Sequence, residues 1–315
     1  MLIRKDWKYR ILFVAGGRRT SLAELFFRKD CSVLSYELDQ LVPLANLNCK
    51  VFSGKKWKDP ELPAEILKIV EDEKIDLIVP LDCNGVLRLS KLKDYDLKAI
   101  SHKIVCSPFS AAEKCTDKLK LQKFMEKYFP SYFPSPIENK PFVKKPRFGF
   151  GSNGVEYGEL FNPTDQTKEA NKTVVFQNKL PGPEYSVDCY FNKNGKMVGA
   201  SPRERLWVAG GEVLESTTVD EPVLIKMTKE IGEKIKIQGP GSFQYRLDEE
   251  KHFRLIEING RLGGGATISI HAGLDIIQYI IDEYILGKTP EENSGKAQPN
   301  IYCSRSFRDH FFKLS

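Results

Sequence analysis

The stretch from Gly241 to Gly265 constrains this chain most, because two strand-like segments lead directly into a run of glycines. Side chains along a strand alternate between two faces. If Glu250 and Lys251 flank the centre of a hairpin turn, the apolar side chains share one face and the polar side chains share the other. The apolar face then carries Phe243, Tyr245, Leu247, Ile256 and Ile258. We therefore predict a β-hairpin that packs one face on the core and leaves the other face free.

The free face of this hairpin brings oxygen-bearing side chains together. In this register Gln244 lies opposite Glu257, with β-carbons about 5 Å apart, and Asn259 lies two residues further along. Carboxylate and amide oxygens suit Mg²⁺, and paired divalent cations clamp phosphoryl oxygens. We predict a metal site at Gln244, Glu257 and Asn259. The alternative is a surface hairpin with a polar outer face, and a register shift of one residue would remove the convergence.

Two glycine-rich segments are suited to binding anions. After the hairpin, Arg261 offers a bidentate cation and the glycines at 263–265 offer backbone N–H groups. Upstream, residues 141–155 join a lysine-bearing strand to a glycine loop. Lys145 offers phosphate a positive charge and Ser152 offers a hydroxyl. Bare backbone N–H groups come from Gly149, Gly151 and Gly154. The alternative is a hairpin turn with solvated lysines. The lysine precedes the glycines, so the segment is not a P-loop.

The first 105 residues alternate strand-like and helix-like segments. Apolar runs at 9–17, 31–39 and 75–82 alternate with amphipathic stretches at 18–29 and 63–73, which predicts a parallel sheet. The glycine pair at 16 and 17 lacks the G-x-G-x-x-G spacing of a dinucleotide site. Asp82 and Asn84 follow a predicted strand, where they either meet a ligand or cap the next turn.

Composition limits the classes of function. The 315 residues allow two or three domains, and the net charge of +6 is too mild and scattered to favour nucleic-acid binding. No run approaches the roughly 20 apolar residues of a membrane helix, and the N-terminus lacks the pattern of a signal peptide, so we expect a cytoplasmic protein that does not bind membranes. The seven cysteines contain no C-x-x-C pair and are expected to be reduced thiols rather than zinc ligands.

Four motifs follow one another in an order and spacing that resembles the ATP-grasp superfamily. They are Lys118, the lysine–glycine loop, the segment from Gln177 to Asp188 and the hairpin end Glu257-Ile-Asn-Gly-Arg261. Within that superfamily the chain is similar to stand-alone proteins related to the large subunit of carbamoyl phosphate synthetase. The resemblance implies a mixed α/β and α+β fold. It places an N-terminal Rossmann-like domain at residues 1–105, a lid subdomain with a linker helix at 106–180, and a metal- and substrate-binding subdomain at 181–315.

The resemblance implies a role in ATP binding for each matching residue. Two lysines beneath a glycine lid hold the phosphates, the backbone of a hinge holds adenine, and a carboxylate lies near the ribose or an adjacent cation. The matching positions are Lys118, Lys145, Gly151, Ser152, Gln177, Asn178, Lys179, Leu180 and Glu184. Asn178 stands where relatives often carry glutamate, so only the backbone contacts to adenine carry over. The sequence leaves open whether Lys144 or Lys145 faces the phosphates.

The resemblance also assigns the residues of the reaction centre. The three hairpin residues predicted above match the metal ligands of the family, and Arg261 matches the arginine that steadies the transferred phosphate. Arg203 and Arg205 follow a strand predicted at 197–200, and one of them resembles the basic residue that faces the acyl phosphate. We favour Arg205 for that role.

Such a site implies an ATP-dependent carboxylate–amine ligase that uses ATP and Mg²⁺, which Mn²⁺ can replace. A carboxylate attacks the γ-phosphate, and an amine or amino acid then displaces phosphate from the acyl phosphate. The expected partners are small carboxylates and amines, and we expect a homodimer. Carbamoyl phosphate synthesis is not expected, because the chain has one such unit. The alternatives are an ATP-binding regulatory protein without ligase turnover and a Rossmann-like oxidoreductase.

Overall fold

Alternating strands and helices in the N-terminal part build a four-stranded parallel sheet, as predicted. The computed structural model describes residues 6–149, 151, 153–164 and 173–313. The elements of the first part are β1 (Tyr9–Val14), α1 (Thr20–Phe27), β2 (Cys31–Glu37), β3 (Val51–Ser53), α2 (Leu62–Asp72), β4 (Leu77–Pro80) and α3 (Cys83–Leu92). The strand order is β3-β2-β1-β4 with parallel pairs throughout. Ile11 to Val14 are wholly buried because helices cover both faces of the sheet.

A helix pair and a small antiparallel sheet follow. The helices are α4 (Phe109–Thr116) and α5 (Lys118–Tyr128), and the sheet has the order β6-β5-β7, with β5 (Phe142–Pro146), β6 (Glu156–Gly158) and β7 (Val174–Asn178). Asp117 caps α5, because its carboxylate accepts from the N–H groups of Leu119 and Lys120. The sheet has a core of its own around Phe161 and Phe176.

The third part is a six-stranded antiparallel sheet. Its strands are β8 (Glu184–Phe191), β9 (Met197–Ala209), β10 (Glu212–Thr218), β11 (Gly239–Leu247), β12 (Phe253–Asn259) and β13 (Tyr302–Ser304), in the order β12-β11-β8-β9-β10-β13. Its helices are α6 (Pro222–Ile235), α7 (Ala266–His271) and α8 (Ile276–Tyr284). Short 3₁₀ helices occur at Pro43–Leu47, Lys98–Lys103 and Pro130–Tyr132. Among the described residues, no helix is long and apolar enough to cross a membrane.

Two hydrophobic cores cover the two faces of the large sheet and fix its neighbours. On one face, α7 and α8 share a core with the N-terminal sheet and α1, and this core includes Phe13, Phe26, Leu262 and Ile277. On the other face, α4, α5 and α6 pack on β8 and β11. The shared core holds the carboxyl edge of the parallel sheet beside the end of β12. The domain boundaries at residues 105 and 180 stay predictions.

Candidate functional site

The hairpin of β11 and β12 has the predicted register at its polar end. Gln244 pairs with Glu257, but Tyr245 pairs with Leu255, so a β-bulge separates the two pairs. The bulge places two residues of β12 opposite one residue of β11. The prediction that Ile256 lies on the core face is therefore wrong, because Leu255 is buried there and Ile256 lines a cleft with Glu257.

That cleft lies between the three-stranded sheet and the polar face of the large sheet. It gathers most of the residues predicted to bind ATP and two of the predicted metal ligands: Lys118, Lys145, Gly151, Gln177, Asn178, Leu180, Glu184, Gln244 and Glu257. Lys179 does not line it, and its ammonium lies 5.9 Å from the centroid of the Tyr157 ring. Asn259, Arg205 and Arg261 do not line the cleft. Ser152 lies outside the described residues.

Lys145 projects into the cleft and Lys144 points away from it. The Nζ atom of Lys145 donates to Gln177 Oε1 at 2.6 Å, whereas Lys144 pairs with the exposed Glu156 at 3.5 Å. Desolvation lowers the pKa of Lys145 to about 8, against the opposing effect of the Glu257 charge. The alternation of strand β5 thus turns one lysine of the pair toward the cleft.

The glycine loop is attached at its base and touches the opposite sheet at its tip. At the base, Arg147 makes a bidentate ion pair with Asp117, with distances of 2.8 and 2.6 Å, and Lys118 donates to Gly149 O at 2.9 Å. At the tip, a Cβ atom on Gly211 would lie only 2.6 Å from the Cα atom of Gly151. The turn between β9 and β10 therefore contacts the glycine loop, and sequence reasoning missed this contact.

The segment after β7, predicted to be the adenine hinge, leaves one backbone donor free. The N–H groups of Asn178 and Lys179 donate to the carbonyls of Pro134 and Pro141, at 2.8 and 2.9 Å. Within the described part of the chain, no acceptor is found for the N–H of Leu180, whose side chain is buried against the cleft. Leu180 is thus the hinge residue that is free to donate to a base.

The predicted metal ligands have a chemistry that fits a hard divalent cation. Glu257 and Gln244 face the cleft, and the Gln244 amide has no hydrogen-bond partner among the described side chains. Asn259 donates to Glu257 Oε1 at 3.1 Å, so the two side chains are adjacent. The described residues contain no group of three or more His, Cys, Asp and Glu side chains that could hold a metal. A metal bound here would therefore depend on one carboxylate and two amides, which are oxygen donors of the kind Mg²⁺ takes.

The amide oxygen of Asn259 links the site to the N-terminal sheet. It accepts from Cys83 Sγ at 3.1 Å and lies 3.5 Å from Arg261 Nη2. Cys83 is the first residue of α3, and Asp82 before it caps that helix by accepting from the Gly85 N–H. Of the two roles left open for Asp82, the structure shows the cap. Burial raises the pKa of Asp82, and the Gly85 N–H and the charge of Arg261 oppose that rise only in part. Sequence reasoning missed Cys83, although its position directly after a buried strand was a signal.

Arg203 and Arg205 lie within β9 rather than after it, and their surroundings differ. Arg203 is 2% exposed, and its Nε donates at 2.8 Å to Asp188, which also accepts from Ser269. Arg205 instead pairs with Glu184 at 3.1 Å and donates to Gly211 O at 3.1 Å. Arg205 thus joins the cleft carboxylate to the turn that meets the lid.

Comparisons with known proteins agree on the fold. A family described as ATP-grasp in the biosynthetic pathway with Ter operon matches residues 170–304. Biotin carboxylase from Campylobacter jejuni, solved as a β-γ-ATP complex, has a TM-score of 0.67 at 17% identity over 91% of this chain and 73% of that chain. The L-amino acid ligase from Bacillus licheniformis gives 0.65 at 15% identity, over 94% and 78%.

A third solved structure carries a bound nucleotide. N5-carboxyaminoimidazole synthetase from Staphylococcus aureus, complexed with ADP, gives a TM-score of 0.63 at 14% identity, over 95% of this chain and 80% of that chain. By sequence, no curated protein matches the chain. The predicted ATP-grasp resemblance is confirmed at the level of the fold, and the narrower similarity to carbamoyl phosphate synthetase stays a prediction.

Proposed function

Because this chain is an ATP-grasp protein by fold, we propose that it is an ATP-dependent ligase that joins a carboxylate to an amine or amino acid. One observation carries the proposal. A single cleft collects a desolvated lysine, a glycine lid, a hinge with one free N–H and the Gln244–Glu257 pair. A cation, bare N–H groups and oxygen donors arranged in series suit a base, a polyphosphate and its metal ion.

Each part of the cleft has a task in binding ATP. The Leu180 N–H donates to the adenine ring, and Lys118 and Lys145 bind the phosphate oxygens beneath the lid. Glu257, Asn259 and Gln244 would hold Mg²⁺, which supplies charge neutralisation at the phosphates. Protein side chains need not react covalently, because positioning and electrostatics account for most of the catalysis in phosphoryl transfer.

The reaction then proceeds in two balanced steps. A carboxylate oxygen of the substrate attacks the γ-phosphorus, the bond to the β-phosphate oxygen breaks, and ADP leaves. The amine nitrogen next attacks the acyl carbon, phosphate leaves with the bonding electrons, and the nitrogen loses a proton. Arg261, which lies beside Asn259, and Arg205, which lies beside Glu184, stabilise the negative charge on the transferred phosphoryl group.

Hydroxylamine permits a test that does not require the natural amine. It attacks acyl phosphates, so a correct carboxylate with Mg-ATP and hydroxylamine should give a hydroxamate and an equal amount of ADP. Glu257→Gln should abolish both products. Glu250→Gln is the matched control, because Glu250 lies at the tip of the same hairpin with its side chain 79% exposed, and it should keep full activity. Full turnover by Glu257→Gln would refute the assignment of the site.

A second function is favoured by the contacts of Asn259. Its amide oxygen already accepts from Cys83, and Arg261 lies 3.5 Å away, so it is directed toward the protein instead of the cleft. A regulatory protein that binds ATP without turnover is compatible with that arrangement. Tight binding of Mg-ATP, with neither ADP nor hydroxamate formed across a broad set of carboxylates, would support this second function.

A further inference from the structure

A second group of charged side chains lies around the glycines at 263–265, outside the ATP cleft. A Cβ atom on Gly264 would lie 2.5 Å from Glu212 Oε2 and 2.8 Å from Arg19 Nη1. Arg19 comes from the loop before α1, whereas Glu212 begins β10. Only a glycine therefore permits these two side chains to reach the backbone that follows Arg261.

Arg19 is the unusual member of this group. It is partly buried, and within the described residues its guanidinium makes no hydrogen bond or ion pair. Desolvation, followed by the positive charge of Arg261, lowers the pKa of Arg19 to about 10, and Arg305 acts in the same direction. Removal of a charge from water without a partner is unfavourable. Other buried arginines are compensated, as Arg203 is by Asp188.

Arg305 brings a second cation to the same place. It follows β13, donates to Val213 O at 3.0 Å and pairs with Glu212 at 3.4 Å. Glu212 is the carboxylate that this group shares, while the charges of Asp82 and Glu257 act on Arg261. In the part of the chain that the structure describes, Glu212 is thus the one carboxylate of this group near two cations: it pairs with Arg305, and its charge acts on Arg19 without a direct ion pair.

We propose that the substrate of this ligase carries a second anionic group, a carboxylate or a phosphate, and that Arg19 binds it at Gly264 with help from Arg305. The inference rests on the proposed function for the identity of the ligand as a substrate. Arg19 is not needed for the nucleotide phosphates, because it does not line the cleft that holds Lys118 and Lys145. Its neighbour Arg261 places the second anionic group close to the carboxylate that is phosphorylated.

Titration with inorganic phosphate tests the site directly. The full chain is first saturated with Mg²⁺ and a non-hydrolysable ATP analogue, so that the nucleotide occupies the first anion site, and phosphate is then titrated calorimetrically. Wild type should bind phosphate, and Arg19→Gln should weaken it about tenfold or more, the effect of losing a charge-assisted hydrogen bond. Arg18→Gln, a change at the exposed neighbouring residue, should bind as wild type does. Arg19→Lys should recover part of the loss, because it restores the charge.

Other outcomes of this titration have defined meanings. Binding of phosphate and of acetate that is equal in wild type and Arg19→Gln, or absent for both anions in wild type, would overturn the second site. A parallel titration with acetate separates the two kinds of ligand. Loss of phosphate affinity alone in Arg19→Gln indicates a phosphorylated substrate, and loss of acetate affinity alone indicates a dicarboxylate. If the nucleotide failed to bind, that failure would count against the proposed function only. The same titrations without nucleotide would then still report on Arg19.

Discussion

Lys145 should destabilise the nucleotide-free protein, and Lys145→Met should separate this cost from its role in binding. Desolvation lowers the pKa of Lys145 from 10.5 to about 8, a difference that corresponds to about 3 kcal/mol. Methionine removes the desolvated charge, but it leaves Gln177 Oε1 without its donor, which costs about 1–3 kcal/mol. At pH 7 the free energy of unfolding of Lys145→Met should therefore equal that of wild type or exceed it by up to about 2 kcal/mol.

The sign of the shift fixes how this difference changes with pH. The folded-state pKa of Lys145 lies below its unfolded value, so between about pH 8 and 10.5 the unfolded state binds more protons. The free energy of unfolding of wild type therefore increases, through Lys145, as the pH rises through that window. The methionine variant lacks this gain, so wild type should improve relative to it by about 2–3 kcal/mol across the window.

Urea denaturation followed by tryptophan fluorescence, near neutral pH and near pH 10, measures both effects. Lys144→Met is the control, because Lys144 pairs with the exposed Glu156 instead of facing the cleft, and its stability should follow wild type at both pH values. Calorimetry with Mg-ATP should show that Lys145→Met weakens binding at least tenfold, since it removes a charge-assisted contact to phosphate. Equal destabilisation of Lys145→Met at both pH values would refute the reasoning.

Two further predictions concern the turn that receives the lid and the arginines of β9. Gly211→Ala should raise the KM for ATP several-fold, because its Cβ atom would lie 2.6 Å from the lid backbone. The control Gly210→Ala should leave the KM unchanged, because nothing lies within 4 Å of its Cβ atom. Equal KM values for the two variants would argue against closure of the lid on this turn. Arg203→Met should lower stability by about 3–5 kcal/mol by leaving the Asp188 charge buried alone. Arg205→Met should lower stability less than Arg203→Met does, and it should abolish ADP formation. Thermal unfolding and an ADP assay measure the two effects, and a larger loss of stability in Arg205→Met would contradict the prediction.

The polar end of the hairpin could be predicted from sequence because it depends on strand parity alone. Gln244 and Glu257 pair in the expected register, because the turn is centred on Glu250 instead of between Glu250 and Lys251, and the extra residue at the bulge compensates for that difference. The assignment of Ile256 was wrong for the same reason, because the residue inserted in β12 changes the face of the β12 positions between the bulge and the turn, whereas Tyr245 on β11 keeps its core face. The composition of the segment does not report a bulge, as leucine and isoleucine suit a core face equally well.

Contacts between distant segments could not be predicted in this way. Cys83 contacts Asn259 across 176 positions of sequence, and Arg19 reaches Gly264 from the loop before α1. Both contacts exist because the parallel sheet and the large sheet share one hydrophobic core, which sets their relative position. The sequence predicted each sheet from local periodicity, but it contained no signal for how the two are placed against each other.

The two arginines of β9 show why residue type and spacing did not assign a role. Being two residues apart on one strand, they point to the same face, so strand parity treats them alike. What separates them is the acid that each meets on the neighbouring strand. Asp188 is enclosed by Ser269 and the glycines at 263–265, and its ion pair therefore holds Arg203 in the interior. Glu184 instead lines the cleft, and its ion pair holds Arg205 beside the cleft. The role of a charged residue in this sheet therefore depends on the burial of its partner.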